Sequence, residues 1–414
     1  MDAIPLTSPD RPASLLGKTL DTTAGSALHA IAQWLEGLGF GAFTLVSLYA
    51  GAIVLTLPPL MLGAWLSSPS MTTPAGTFSM PFFYDVSTIY MYLVLFPCFL
   101  ILTVSDHQLL RRSLNRIQAD GILTIPTASE AILATRWNRR FLKANLTAQA
   151  LGMVAGAVAV YFVYKSNEPK GTINGWDSGN PLPIAGYIHG FYDVLFAIVA
   201  TVYLVRSFVV PFLLSDIIAH AALHMLPLHP DNAGGLQPIG RLGLRHQYAI
   251  ALAGLNIGLG WLVSHFFTPN DAWTPFIIVG FVAYAVFGPF VFIGPLLPFR
   301  AAMMRSKAQL MSGVALRMRA QLDDLNSRIA SGAITADDEQ LIERLRKIGA
   351  VINDLPVWPF DALTLRTFLA AYVAPAISFV VPLLAKALYG YFTKQHASPE
   401  ELRHLIHFFQ VATL

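Results

Sequence analysis

The stretch that decides the fold is residues 274–298, TPFIIVGFVAYAVFGPFVFIGPLLP, which is followed at 299–362 by a stretch with nine basic and eight acidic residues. A run of about 20 apolar residues crosses the hydrocarbon core of a bilayer, which is about 30 Å thick. Six further segments meet that length: 42–66, 86–104, 146–164, 188–206, 248–267 and 363–388. Since only helices or closed barrels span a bilayer, the sequence predicts an all-α, polytopic bundle of about seven spans.

The positive charges indicate the orientation of the bundle. Eighteen of the 27 Lys and Arg residues lie between predicted spans in three stretches, 105–145, 215–247 and 299–362. On the other side, 67–85 and 268–273 contain no Lys or Arg and 165–187 contains two. Because Lys and Arg concentrate in cytoplasmic loops, we expect a polytopic membrane protein with a cytoplasmic N-terminus and a C-terminus in the periplasm or outside.

The composition agrees with a lipid environment. The chain is 55% apolar and 12% charged, whereas soluble domains contain about 25% charged residues. Nucleic-acid binding is not expected, because no loop combines a dense basic stripe with stacking aromatics. The single cysteine, Cys98, lies in a predicted span, so intrachain disulfides are excluded.

Two amphipathic helices and a hairpin complete the predicted organisation. Residues 24–38 suit an interfacial helix, and Ser398 to Glu401 form a capping box that starts another. The predicted regions are a tail and interfacial helix at 1–41, spans one to six at 42–298, a cytoplasmic hairpin at 299–362, a last span at 363–390 and an amphipathic helix at 391–414.

The hairpin prediction depends on heptad spacing in two runs. The first run is Met311, Ala315, Met318, Leu322, Leu325 and Ile329, and the second is Leu341, Leu345, Ile348, Ile352 and Leu355. Such spacing on both sides of Ser331-Gly332 predicts an antiparallel coiled coil. A packed helical linker would share this geometry.

An elbow is predicted where the hairpin meets the last span. Pro356 and Pro359 interrupt any continuous helix there, and Trp358 is typical of the headgroup zone. Asp361 is placed to cap the last span.

The loop at 215–247 contains the residues with the most metal-binding character. His220, His224, His229 and Asp231 could ligate a divalent metal. The alternative is a structural turn, in which Asp231 caps the backbone ahead of two glycines. We favour the turn.

Proline and glycine positions mark two further features. Gly288-Pro289 and Gly294-Pro295 would break the sixth span, either along a transport path or as packing kinks. Gly254 and Gly258 form a helix-packing face, and Asn256 beside them needs an interhelical partner. The pore or kink candidates are therefore Gly288, Pro289, Gly294 and Pro295, and the packing residues are Gly254, Gly258 and Asn256.

Charged residues are absent from the middle of the predicted spans. His189 and Asp193 lie near the outer end of the fourth span. That span is predicted to end at Arg206, whose head would reach the interface, and 212–226 would form a surface helix. This pattern argues against a proton-coupled transporter. His189 and His265 both lie near outer ends, which argues against haem.

Three short motifs resemble an uncharacterised family of bacterial multi-pass membrane proteins. They are H-P-D-x-A-G-G-L at His229 to Leu236, Pro295 to Phe299, and a P-F-D element from Pro359 to Leu365. The resemblance, which runs from about residue 186 to the end, implies an inner-membrane location and carries no activity. His220 and His224 are not part of the shared pattern, which weakens the metal hypothesis.

The leading functional prediction is a non-enzymatic, oligomeric channel or pore-like transport protein. Its path would lie near the sixth and seventh spans, and the hairpin would regulate it. The first alternative is a scaffold subunit that associates with another membrane protein. The second is a metal-dependent enzyme that uses His229 and Asp231, although no hydrolase or nucleotide-binding motif is present.

Overall fold

The computed structural model describes residues 19–26, 28–38, 42–67, 79–167, 174–177, 182–225, 229–267, 274–330, 336–375 and 377. Within this part of the chain the fold is all-α, as predicted. The helices are α1 His29–Leu38, α2 Ala42–Ser67, α3 Val86–Ala119, α4 Thr127–Asn167, α5 Ile184–Ala219, α6 Gln237–Phe267, α7 Thr274–Ile293, α8 Leu297–Ala330, α9 Ala336–Asn353 and α10 Ala362–Pro375.

Five helices are long and apolar enough to cross a membrane, and large apolar side chains on their outer faces, such as Phe43 and Val279, are exposed. Their extents are Phe43–Ser67, Val86–Ala119, Thr127–Phe162, Ile184–Ala219 and Ile278–Ser327. The last of these runs from α7 through the 3-10 turn Gly294–Leu296 into α8. The predicted span 248–267 falls within α6. The last predicted span begins in α10 and continues beyond residue 377, outside the described residues, as does the predicted C-terminal amphipathic helix.

Short strand pairs join the connecting segments at the two ends of the bundle. Strand β1 (Ser79–Met80) runs parallel to β3 (Asn174–Gly175) at one end. Strand β2 (Leu123–Thr124) pairs antiparallel with β4 (Ala222–Leu223) at the other. We call the second end the basic end, because the Lys- and Arg-rich stretches lie there.

Helices α3 and α5 pass through two hydrophobic cores. The core at the basic end includes Leu114, Leu214 and Phe299. The other core includes Phe96 of α3 and Tyr203 of α5. Residues of α3 and α5 are therefore buried over most of the depth of the bundle.

Helix α5 corrects one sequence prediction. It does not end at Arg206 but continues through Pro211 to Ala219, so the predicted surface helix at 212–226 is wrong. Arg206 is 1% exposed and does not reach the interface. Close packing accounts for the continuation, since a Cβ added at Gly294 would lie 3.2 Å from Pro211 Cγ.

The hairpin helices α8 and α9 are antiparallel neighbours, although their contact face differs from the predicted heptad seam. Lys307 Nζ donates to the carbonyls of Asn353 (2.5 Å) and Leu355 (3.1 Å). The less exposed positions are Met311, Val314, Met318, Gln321 and Leu325 on α8, Ile342, Leu345, Gly349 and Ile352 on α9, and Leu355 just after α9.

Four predicted seam residues are therefore wrong: Ala315, Leu322, Leu341 and Ile348 are exposed. Gly349 faces Val314 across the hairpin, since a Cβ at that glycine would lie at an ordinary contact distance of 3.9 Å from Val314 Cγ1. Residues 331–335, which join the two helices, lie outside the described residues.

Candidate functional site

Four helices bring five polar side chains together near the basic end. Asp106 comes from α3, Asn145 from α4, Arg206 from α5, and Arg245 and His246 from α6; we call these the Asp106 cluster. Asp106, Arg206 and His246 are each at most 3% exposed. A charged side chain within a helical membrane bundle is expensive and is retained where it has a function.

A carboxylate–imidazole pair lies at the centre of the Asp106 cluster. His246 Nε2 is 3.0 Å from Asp106 Oδ1. Arg245, one residue earlier on α6, donates to the hydroxyl of Ser105, one residue earlier on α3. Consecutive residues of the two helices thus meet, which fixes the orientation of Asp106. The edge of the Tyr203 ring faces His246, with 5.8 Å between the ring centroids.

Arg206 is held from two further helices. Its Nε donates to Asn145 Oδ1 at 2.9 Å, and its Nη1 donates to the carbonyl of Thr103 at 2.6 Å. Asp106 lies within electrostatic reach of both Arg206 and Arg245. A buried ion pair is stable only where hydrogen bonds satisfy its remaining donors and acceptors, and these contacts satisfy part of that requirement.

Several buried polar atoms around Asp106 have no hydrogen-bond partner among the described residues. They are Tyr203 Oη, Arg206 Nη2, Arg245 Nε and His246 Nδ1. Because buried polar groups in native proteins are nearly always hydrogen-bonded, this concentration distinguishes the cluster from an ordinary structural ion pair.

The N-terminal segment, residues 19–26, covers the cluster at the basic end. Asn145 Nδ2 donates to the carbonyls of Thr22 (3.0 Å) and Ala24 (2.7 Å), while Asn145 Oδ1 accepts from Arg206. Gln149, one turn further along α4, donates to Gly25 O at 2.7 Å. Asn145 therefore connects the N-terminal segment directly to Arg206.

A second charged group lies at the opposite end of α3 and α5. His189 Nδ1 is 2.7 Å from Asp177 Oδ2, and its Nε2 is 3.5 Å from Asp193 Oδ1. Tyr92 donates to the same Asp193 oxygen at 2.7 Å. Trp176 packs on the imidazole with centroids 5.1 Å apart. We call these five residues the His189 cluster.

Local backbone structure positions the aromatic and acidic parts of the His189 cluster. Tyr92 lies in a π-helical turn, Met91–Leu95, a distortion that is frequent at functional sites. Asp85 caps the first turn of α3, because its carboxylate accepts from Thr88 N at 3.0 Å. The same carboxylate accepts from Trp176 Nε1 at 3.3 Å. Burial raises the pKa of Asp85, which lies just before α3.

Aromatic rings fill the bundle between the two clusters. From Tyr92, successive ring contacts pass through Phe96, Phe196 and Phe99 to Tyr203, which touches His246. The successive centroid distances are 6.5, 6.4, 5.8 and 5.3 Å. The two charged clusters are thus connected by a column of aromatic rings.

The His-rich loop has the contacts of a turn. Asp231 Oδ1 accepts from Ala233 N (2.9 Å) and Gly235 N (3.0 Å), and its Oδ2 accepts from Gln237 N (3.1 Å) at the start of α6. His229 Nδ1 lies 2.7 Å from Asp231 Oδ1. Gly234 and Gly235 have positive φ values of 65° and 91°, which glycine adopts readily.

The other two histidines do not join this turn. His220 Nδ1 is 2.8 Å from the carbonyl of Asp216, one helical turn earlier. His224 lies just after β4, where its N–H donates to Ile122 O. Among the described residues, no three His, Cys, Asp or Glu side chains converge in a way that could hold a metal ion.

We expect Asp231→Ala to destabilise the protein by about 1–3 kcal/mol, because buried backbone N–H groups would lose their acceptor. Asp231→Asn should cost less, since its amide oxygen still accepts. Burial would raise the pKa of Asp231, but its backbone hydrogen bonds outweigh this and lower it. The stabilisation should therefore be present above the usual pKa of about 3.9 and disappear as pH falls through the lowered value.

Thermal unfolding of both variants and the wild type between pH 7 and pH 3 would measure this difference. If the difference in stability between the wild type and Asp231→Ala were the same at pH 3 as at pH 7, the capping role would be contradicted. Loss of a tightly bound divalent ion in both variants would instead favour the metal interpretation.

The Gly–Pro residues of α7, and those of the 3-10 turn Gly294–Leu296 that follows it, lie in packed surroundings. A Cβ at Gly288 would lie 3.0 Å from Tyr372 Cε2. Pro289 leaves the carbonyl of Ala285 without its helical donor, and Tyr372 Oη donates to that carbonyl at 3.0 Å. Pro295 is buried. A tyrosine hydroxyl also replaces the missing helical donor at two other prolines. Pro59 leaves Leu55 O without its donor, and Tyr192 Oη donates to that carbonyl at 2.5 Å. Pro97 leaves Leu93 O without its donor, and Tyr49 Oη donates to it at 2.7 Å.

The packing residues of α6 also contact other helices. A Cβ at Gly254 would lie 2.6 Å from Tyr284 of α7 and 3.0 Å from Pro375 of α10. Gly258 is buried. Asn256 Nδ2 has a weak contact with Met91 Sδ at 4.0 Å, and its Oδ1 has no partner among the described residues.

The elbow packs on the protein. The guanidinium of Arg300 lies 4.4 Å from the Trp358 ring centroid. A Cβ at Gly240 would lie 2.5 Å from Pro359 O. Pro356 is half-buried, and Asp361 Oδ1 accepts from Thr364 N at 2.9 Å, at the start of α10. Trp358 therefore has a protein partner in addition to any headgroup contact.

Sequence reasoning missed the Asp106 cluster, although a signal was present. Asp106, Asn145, Arg206 and His246 each lie within two residues of a predicted span boundary at the same end of the bundle (104, 146, 206 and 248). Polar residues at matching depth on four helices indicate a shared layer. Each residue alone looked like an ordinary interfacial position.

Comparison with known proteins returned no match to any family model, curated protein or solved structure. The fold and the two clusters therefore define only a class: a helical membrane-type protein with buried ionisable groups.

Proposed function

We propose that this chain is a bacterial inner-membrane transport protein whose path runs along α3, α5 and α6, between the His189 cluster and the Asp106 cluster. The observation that carries this proposal is the buried Asp106–His246 pair with Arg206 and Arg245. Burying an ionised side chain costs several kcal/mol before pairing, and Asp106 and Arg206 are both buried while Arg245 is half-buried. Intramembrane ionisable residues usually mark ion or solute pathways.

The arrangement of the two clusters supports transport over a purely structural role. One cluster lies towards each end of α3 and α5, and the Phe96–Phe99–Phe196 column separates them. A permeating solute would need a site at each end and a barrier that can open. A scaffold would gain little from buried charges, since apolar residues of similar volume usually give equal or greater stability.

This path replaces the one suggested by the Gly–Pro residues of α7. The freed carbonyl of Ala285 already has a donor in Tyr372, and Gly288 packs against the same ring. These contacts favour packing kinks. Helices α8 and α9 would act on the path indirectly, through the elbow packed on Gly240 of α6.

The proposal includes seven spans, with α6 and α10 as the two beyond the five long apolar helices, and a cytoplasmic basic end. Membrane-impermeant thiol labelling in a Cys98→Ala background tests it. Ala119→Cys and Ala320→Cys, both exposed, should react only from the cytoplasm, and the exposed Phe83→Cys only from the periplasm. Labelling of Ala320→Cys from the periplasm would invert the orientation.

Reconstitution into liposomes tests the function itself. We expect the purified protein to carry protons, small cations or small anions faster than empty liposomes, as measured with pH-sensitive, potential-sensitive and halide-sensitive dyes. No flux above background in any of these assays would overturn the proposal and favour the scaffold alternative.

A further inference from the structure

We propose that the Asp106 cluster binds a small anion, held between Arg206 and Arg245. This deepens the proposed function by naming the class of solute, and it rests on the same buried residues. The argument uses the charge balance of the cluster, the chemical type of its unpartnered atoms, and the positions of the groups around it.

The charge balance of the cluster is positive. Arg206 and Arg245 carry two positive charges and Asp106 carries one negative charge, so these three side chains sum to one positive charge. Arg guanidinium groups stay charged in proteins. An uncompensated buried charge is strongly destabilising, which favours an additional negative group.

Asp21, a neighbouring acidic residue, does not neutralise this excess positive charge. Asp21 of the N-terminal segment is within electrostatic reach of Arg206. However, its Oδ1 accepts from the N–H (2.8 Å) and hydroxyl (2.6 Å) of Thr23, its Oδ2 lies 3.6 Å from His29, and its side chain is 36% exposed. Asp21 is thus engaged and partly solvated, so it screens Arg206 weakly.

The unpartnered atoms around Asp106 can all donate. Arg206 Nη2 and Arg245 Nε are obligatory donors, and Tyr203 Oη and His246 Nδ1 can each donate one hydrogen. Water could accept from these groups but would leave the positive charge. An anion supplies both the acceptors and the missing charge, and guanidinium groups pair well with carboxylates and oxyanions.

Two elements of the structure enclose the cluster. The N-terminal segment covers one side through Asn145, and the aromatic column closes the other at Tyr203. A cation is disfavoured there, because it would meet two guanidinium groups while the Asp106 carboxylate is already paired with His246.

Thermal unfolding of the detergent-purified full chain tests anion binding at constant ionic strength. We expect chloride, acetate or phosphate to raise Tm in a saturable way relative to gluconate, a bulky anion, since a ligand that binds the native state stabilises it. Arg245→Gln, which is half-buried and easier to tolerate, should weaken the apparent Kd about tenfold. Arg206→Lys should keep part of the affinity, because it retains the charge.

Arg319→Gln, at an exposed position of the hairpin, is the matched control and should bind like the wild type. No saturable Tm increase with any of the three anions, or equal binding by Arg245→Gln and Arg319→Gln, would overturn the inference. The function can fail separately: anion binding without flux would remove the transport proposal only, whereas proton or cation flux without anion binding would remove this inference only.

Discussion

Asp106→Ala should destabilise the protein by about 3–5 kcal/mol, the usual cost of removing one partner of a buried ion pair. The substitution leaves Arg206 and Arg245 without their buried counter-ion and His246 Nε2 without its partner at 3.0 Å. Unfolding in mixed micelles titrated with sodium dodecyl sulfate would measure the change. Among the single substitutions considered for this protein, we expect this one to have the largest effect.

Glu343→Ala provides the matched control, since the ion pair of Glu343 with Lys347 at 3.5 Å is largely exposed. Exposed pairs contribute about 0–1 kcal/mol. A double-mutant cycle that combines Asp106→Ala with His246→Ala would isolate their coupling. If Asp106→Ala cost no more than Glu343→Ala, the cluster would be hydrated, and the buried-charge argument for transport would fail.

The long apolar helices could be predicted from sequence because hydropathy is a local property. The segments 42–66, 86–104, 146–164 and 188–206 lie within α2, α3, α4 and α5, respectively. The ends of the helices could not be predicted in this way. Arg206 and Pro211 are locally a strong stop signal, yet packing against Gly294 continues α5 through both.

The Asp106 cluster depends on contacts that are distant in sequence. Asp106 and His246 are 140 residues apart, and Asn145 and Arg206 are 61 apart. No local pattern specifies which polar residues near span ends will face one another. The region 215–247 was predicted as a loop, but α6 begins at Gln237, so Arg245 and His246 lie on a helix.

The face through which α8 and α9 contact each other could not be predicted from sequence either. Heptad spacing predicted two antiparallel helices, and α8 and α9 are antiparallel. The register of contact was off by one residue at Ala315 and Ile348, because adjacent positions such as Val314 and Gly349 are also apolar or small. The contact between Gly349 and Val314 belongs to one of these registers, and only the packing of both helices selects it.

Asn145→Leu should release the N-terminal segment and disturb Arg206 together. Leucine keeps a similar volume but cannot donate to Thr22 O and Ala24 O or accept from Arg206 Nε. Each buried polar group left unsatisfied costs about 1–3 kcal/mol. We therefore expect a stability loss second only to that of Asp106→Ala, and faster amide hydrogen exchange across residues 19–26.

Gln149→Leu separates the two roles of Asn145. Gln149 donates to Gly25 O at 2.7 Å, so its replacement should also speed exchange in the N-terminal segment. Arg206 Nε keeps its bond to Asn145 Oδ1 in that variant, so anion affinity should stay near the wild-type value, whereas Asn145→Leu should weaken it about tenfold. Equal loss of affinity in both variants would mean that the N-terminal segment, and not the position of Arg206, controls binding. Unchanged exchange in Asn145→Leu would show that this segment does not depend on the asparagine, and its role as a cover for the cluster would be lost.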